Sequence, residues 1–99
     1  MKYLVGLDIG TSSVKGIKLG EDGTVLGVAE RPHGLSTPQP GWSEQDPDDW
    51  WRGAAGVLTE LDGARAAGIG LTGQMHGLVA LDRARRPLRP AILWNDGRT

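Results

Sequence analysis

Cysteine is absent from the 99 residues, which excludes a disulfide framework and thiolate metal sites and suits a reducing compartment. Phenylalanine is absent as well, so apolar contacts must come from aliphatic side chains, four tryptophans and one tyrosine. Charge of either sign is not in excess: 11 Lys and Arg against 12 Asp and Glu leave a net charge of −1. No long-range field therefore draws in nucleic acid or an anionic membrane, and neither is expected as a partner. The single basic run, Arg83, Arg85, Arg86 and Arg89 in DRARRPLRP, is expected to be a solvated loop. Long apolar stretches are also missing. The opening MKYLVGLDIG has neither the apolar length nor the cleavage site of a leader, and a cytoplasmic protein is the expectation.

What is present is a chain of short apolar runs punctuated by 16 glycines, fitting a loop-rich α/β unit of one small domain. A unit of this size buries only about 60 to 65% of its unfolded surface, so its stability is expected to be thin. Tyr3–Leu7 and Val14–Leu19 favour strands, and DIGTSS between them is rich in turn formers. After a second turn, GEDG at 20–23, Thr24–Ala29 supplies a third strand, and the simplest pairing is an antiparallel meander.

Residues 31–45, RPHGLSTPQPGWSEQ, hold three of the six prolines and two glycines, so no helix or central strand runs through them. A loop this long is expected to be functional or docked. Asp46 then caps a helix beginning at Pro47, with Asp48 and Asp49 at its positive end. Trp50, Trp51, Ala54, Val57, Leu58 and Leu61 recur at helical spacing as one stripe facing the sheet, and Gly63 supplies the stop. Ala66–Leu71 is expected as a strand covered on both faces, reached by a crossover. Leu78–Leu81 is a further candidate strand, and Ala91–Trp94 is a last apolar run.

Three stretches carry chemistry. DIGTSSVK, residues 8–15, places a carboxylate at a strand end, a glycine that admits a ligand to the backbone, three hydroxyls and Lys15: the parts of a phosphate-holding hairpin. Asp8 suits Mg²⁺ held through water. The alternative is a plain turn whose hydroxyls bond their own backbone, and the Walker pattern GxxxxGK[ST] is not matched. In TGQMHG, residues 72–77, Gln74 and His76 offer hydrogen bonds beside the adaptable, apolar Met75, a mixture suited to a sugar with its hydroxyls and C–H faces. A partly exposed loop histidine is the alternative there, and the only reading for His33. Asn95-Asp96-Gly97 in WNDGR is a turn signal, so Asp96 serves either a turn or a ligand.

Taken together, GLDIGTSSVKGI, GWSEQDPDDWW, GLTGQMHGLVALD and RPAILWNDGR, in that order, resemble the FGGY carbohydrate kinases, and among them the members directed to xylulose. The resemblance covers nearly the whole chain. It implies an actin-like, ribonuclease-H-like fold in which two domains clasp ATP and a sugar. Residues 1–99 would be the N-terminal part of the first domain, on the sugar-binding side, with the nucleotide-binding second domain lying outside them. By analogy Thr11, Ser12 and Lys15 meet the ATP phosphates, Asp8 faces Mg²⁺, and Gln74, Met75, His76 and Asp96 contact the substrate. Glycerol-directed relatives carry Arg-Glu where this chain has Met75-His76.

The implied reaction is ATP-dependent phosphorylation of D-xylulose, with kinases for ribulose, fuculose or glycerol, or a non-catalytic binding or dimerising module, as the alternatives. Two departures from the family stand out. The link LDGARAAGIG between helix and strand is a few residues short, and the chain is roughly a fifth of the expected length, taking two domains of ~100 to 200 residues with insertions. The family's base, a downstream aspartate, has no match here. An N-terminal piece, inactive alone and prone to self-association through open edges, is the expectation.

Overall fold

In the computed structural model, which describes residues 2–98, the first three apolar runs form the expected meander. β1 (Tyr3–Ile9), β2 (Ser13–Gly20) and β3 (Val25–Pro32) pair antiparallel in sequence order. Helix α1 (Pro47–Glu60) crosses over the sheet and leads to β5 (Gly68–Gly73), which pairs parallel to β1. The four-stranded order is therefore β3-β2-β1-β5. β1 lies inside the sheet, and its C-terminal end is flanked by the loops after β1 and after β5.

The expected helix start is present in detail: the Asp46 carboxylate accepts from the Asp48 N–H at 2.9 Å, and Pro47 occupies the first turn. The stop differs from expectation. Asp62 adopts the left-handed conformation at φ 55 and donates its N–H to the Thr59 carbonyl at 3.2 Å. Gly63 instead begins a single 3-10 turn over Gly63–Arg65, where a Cβ would sit 3.0 Å from Leu58 Cδ2. Its role is close packing rather than backbone freedom.

Val5, Leu7, Val14, Ala29, Ala54, Val57 and Leu61 form the core between α1 and the sheet. The approach of helix to sheet is set by two glycines that interlock with valines. A Cβ on Gly16 of β2 would lie 2.3 Å from Val57 Cγ1 and 2.8 Å from Leu61 Cδ1, and one on Gly53 of α1 would lie 2.8 Å from Val14 Cγ2. Each glycine is the hole for the other element's knob, and without both the layers would separate.

Several expectations are corrected. Trp51 is not in the buried stripe but 70% exposed, because neighbours on a helix point about 100° apart and Trp50 takes the inward direction. β5 is a strand as expected, but it is not covered on both faces: Leu71 is 71% exposed, since α1 lies over β2 and β3 rather than over β5. Leu78–Leu81 is not a strand and makes only isolated bridges, Leu78 to Ile92 and Leu81 to Pro87. The last apolar run is reduced to β6 (Ala91–Ile92), whose partner β4 (Glu44–Gln45) closes the proline-rich loop in a separate two-stranded sheet. That loop is docked as expected: its His33 N–H donates to the Ser12 carbonyl at 3.1 Å, and its Ser43 carbonyl accepts the Leu93 N–H at 3.0 Å.

Candidate functional site

Parallel pairing of β1 with β5 brings two loops to one edge of the sheet. The first is the hairpin turn after Ile9, closed by Gly10 N–H donating to Ser13 O at 2.9 Å. The second begins at Gln74, whose N–H continues the ladder to Ile9 O at 2.8 Å. TGQMHG thus stands beside DIGTSS, as the sequence assigned them to one site but could not place them.

A hydrogen-bond network ties the two loops together through a residue the sequence did not single out. Gln45, 3% exposed, donates from Nε2 to the Thr11 carbonyl at 2.6 Å. Its Oε1 accepts from Gln74 Nε2 at 2.9 Å and from the Trp50 indole N–H at 2.9 Å. Gln74 accepts from the Thr11 hydroxyl at 3.2 Å and reaches the Gly10 carbonyl at 3.4 Å. Trp94, an exposed side chain, donates its indole N–H to the Thr11 hydroxyl at 3.1 Å. Gln74 is therefore largely spent as a strut between the loops, and the Thr11 hydroxyl is engaged inside the network rather than free at the surface.

On the α1 side of this edge lies a cavity of about 440 Å³ bounded by Ile9, Trp50, Leu71, Met75, His76 and Leu93, among others. Met75 and His76 lie in the loop that follows β5, where the backbone takes an unusual conformation. His76 has φ 62, a left-handed conformation that a residue with a Cβ adopts only under constraint and that is common at binding sites. Gly77 follows it because the chain there passes against β6: a Cβ would come within 3.1 Å of the Ile92 carbonyl.

Asp8 and Lys15 occupy the other face. They are register partners on β1 and β2, and with Thr72 and Ile17 they line an open groove of about 560 Å³ on the side of the sheet away from α1. Lys15 pairs with Glu30 at 3.4 Å, and the Ser13 hydroxyl donates to the same carboxylate at 3.0 Å. Ser12 is exposed at the turn, where its carbonyl accepts the His33 N–H at 3.1 Å. His33 itself lies apart, near Arg31 and the first turn of α1, with both ring nitrogens buried and unbonded. Among the described residues no three His, Cys, Asp or Glu side chains converge on a metal position.

Asp96 is held in a structural corner and is not a wall of the 440 Å³ cavity. Its side chain is 1% exposed; it accepts from Ser43 N–H at 2.7 Å and from Arg98 N–H and Nε at 2.9 and 2.8 Å. Arg98 also reaches Glu44 at 2.8 Å and stacks over Trp42 at 3.7 Å, while Arg89 binds Glu44 at 2.6 Å. The Asp96 N–H closes a turn over Trp94-Asn95 onto the Leu93 carbonyl at 3.1 Å, and its carboxylate braces that turn against Ser43 and Arg98.

The Arg98 hydrogen bonds hold the Asp96 carboxyl well below the ordinary carboxylate range, with the Ser43 N–H adding to the shift. A depressed folded-state pKa contributes stability that is complete above the unfolded value, 3.8, and is lost as pH falls through the folded one. The melting temperature should therefore hold from neutrality to about pH 4 and fall below it. In Asp96→Asn the acid-side slope should be shallower, and an unchanged slope in a pH series of thermal melts would contradict this role.

The geometry agrees with what similarity to known proteins shows. The FGGY family of carbohydrate kinases, N-terminal domain, matches residues 3–99. The xylulose kinase of Klebsiella pneumoniae is 47% identical over 98 residues, covering 95% of this chain and 20% of that protein. The crystal structure of xylulose kinase from Rhodospirillum rubrum superposes with a TM-score of 0.92 at 44% identity, over 98% of this chain and 22% of the other. A glycerol kinase of Chromobacterium violaceum is 36% identical over 99% of this chain and 21% of its own. The chain spans about a fifth of the length of these curated relatives. The four-stranded mixed sheet with its crossover helix matches the actin-like, ribonuclease-H-like first domain expected from the sequence. Matched from Tyr3 to its last residue, and with the hairpin and the TGQMHG loop on one sheet edge, the chain belongs to the FGGY family of carbohydrate kinases.

Proposed function

We propose that this chain forms the sugar-holding side of an ATP-dependent xylulokinase, which moves the γ-phosphoryl group of ATP to the 5-hydroxyl of D-xylulose. The observation that carries the proposal is the juxtaposition of the Met75-His76 cavity with the Gly10–Ser12 hairpin, joined through Gln74 and Gln45. Phosphoryl transfer is mostly a matter of positioning and charge stabilisation, so the site needs two loops held at fixed separation more than it needs a reactive side chain.

In this reading His76 bonds a sugar hydroxyl and Met75 lies against its C–H face. Ser12, the hairpin backbone and Lys15 serve the ATP phosphates, and Thr11 positions the hairpin from within. Asp8 lies on the face away from α1, across Lys15 from Glu30, and one carboxylate suits Mg²⁺, an ion that keeps most of its waters and takes phosphate oxygens as ligands. When bound, Mg²⁺ would neutralise phosphate charge. Asp96 acts from behind, by holding the corner that carries β6 under the sugar loop. Residues 1–99 belong to the first domain in this proposal; the nucleotide-binding domain and the aspartate base lie outside them, and a cytoplasmic location suits the use of ATP.

The test replaces the matching fifth of the Klebsiella pneumoniae xylulose kinase with residues 1–99. ATP-dependent phosphorylation of D-xylulose is expected from the fusion and none from the 99 residues alone. His76→Ala should lower kcat/KM of the fusion about tenfold or more, the worth of one substrate hydrogen bond. A folded fusion that phosphorylates glycerol or another polyol in preference to D-xylulose, or that ignores the substitution, would overturn the assignment.

A further inference from the structure

We infer that Trp50 is the stacking wall of the sugar cavity, with Gln45 as the positioning residue that fixes its ring; the inference rests on the site proposed above. Trp50 stands at the start of α1, where its spacing marks it as one more core residue. The structure instead leaves it half-buried at the cavity, in whose lining it joins Met75 and His76.

Two observations converge. The indole N–H is already used: it donates to Gln45 Oε1 at 2.9 Å. What Trp50 offers the cavity is therefore carbon surface and the negative face of its π system, which suits the weakly positive C–H groups on one side of a sugar. Second, the orientation of the Gln45 amide is set by its partners and admits no flip. Its oxygen receives two donors, from Trp50 and Gln74, and its nitrogen meets the Thr11 carbonyl at 2.6 Å; turning the amide over would set donor against donor and acceptor against acceptor. Buried as it is, Gln45 locks the ring at one angle relative to the hairpin and to Gln74.

Ile9, Leu71, Val79 and Leu93 give the cavity its aliphatic surface, beside the polar Thr72, Gln74 and His76. Trp50 thus brings the broadest flat surface in the cavity. A flat aromatic wall together with His76 would select a substrate with a continuous C–H face several carbons long. A ketopentose has such a face, whereas a three-carbon polyol offers less of it.

The experiment is a titration of the uniformly ¹⁵N-labelled 99-residue chain with D-xylulose, followed by amide and indole N–H signals, with glycerol as the comparison ligand. The Trp50 indole signal, assigned by its disappearance in Trp50→Phe, should move together with the amide signals of Met75 and His76 and with the same apparent Kd. Trp50→Phe, which keeps an aromatic face, should retain affinity within about threefold, while Trp50→Leu should weaken it roughly three- to tenfold. Gln45→Glu keeps an acceptor for the indole but sets an acceptor against the Thr11 carbonyl; it should shift the free-state Trp50 signal, weaken D-xylulose binding and lower the melting temperature. Movement of the Met75 and His76 signals with a stationary Trp50 signal, or equal affinities for Trp50→Leu and Trp50→Phe, would overturn this inference and leave the proposed site intact. If no signal of either loop moves, the proposed sugar site fails and the stacking wall fails with it.

Discussion

Gly16→Val is expected to prevent the chain from reaching its native fold. The first atom added would lie 2.3 Å from Val57 Cγ1 and 2.8 Å from Leu61 Cδ1. Neither neighbour can swing aside, because Val57 is fully buried and Leu61 nearly so. Overpacking of this kind costs about 1 to 3 kcal/mol even where the surroundings relax. Alanine at this position already meets the clash and should cost about 3 kcal/mol, and the two methyls of valine add to it. A domain of this size has only about 5 to 15 kcal/mol in total. Thermal unfolding followed by circular dichroism should show a lowered, still cooperative transition for Gly16→Ala and no native transition for Gly16→Val. A valine variant that melts with the parent chain would show that the helix does not rest where the structure puts it.

Gln45→Leu should have the next largest effect, and it should act on the site and the fold at once. Leucine fits the buried space but leaves the Thr11 carbonyl, the Trp50 indole N–H and a Gln74 N–H without their partner. Each buried group so orphaned costs about 1 to 3 kcal/mol, and because the three share one partner the sum is less than additive, about 3 kcal/mol. The expected result is a lower melting temperature together with altered amide signals at Thr11 and Gln74, while β2 and β3 keep theirs. Unchanged signals at both loops would mean that the hairpin and the TGQMHG loop are held independently of Gln45.

The contrast between Gln45 and Met75-His76 measures how far this site can be read from sequence. Met75 and His76 stand out by their setting between two glycines at a strand end and by the family resemblance, although a loop histidine is the plainer reading of the residues alone. Gln45 has no such mark. It sits among polar residues in a proline-rich loop, and its partners Thr11 and Gln74 are 34 and 29 residues away. Trp50 and Trp51 show a related limit: periodicity admitted both to the stripe, but only tertiary contact decides which of two adjacent rings faces inward. Asp46-Pro47 and the meander were legible because their causes are local, a cap within two residues and strands joined by short turns. For Asp96 the sequence offered turn or ligand, and its bond from Ser43 N–H, 53 residues away, is one that spacing could not announce.

β1 has two partners acquired in different ways. Its antiparallel neighbour β2 follows after a three-residue turn, whereas its parallel neighbour β5 begins at Gly68, after the whole meander, the proline-rich loop and α1 have been laid down. Closing a short turn is entropically cheap and fast; bringing Leu4 to Gly68 must wait until the helix has docked and shortened the effective tether. The seam between β1 and β5 is thus expected to close after the meander and its helix. Since the Met75-His76 loop hangs from the end of β5, its placement beside the hairpin depends on that seam, and a partial opening there would displace it while leaving the meander and its helix intact.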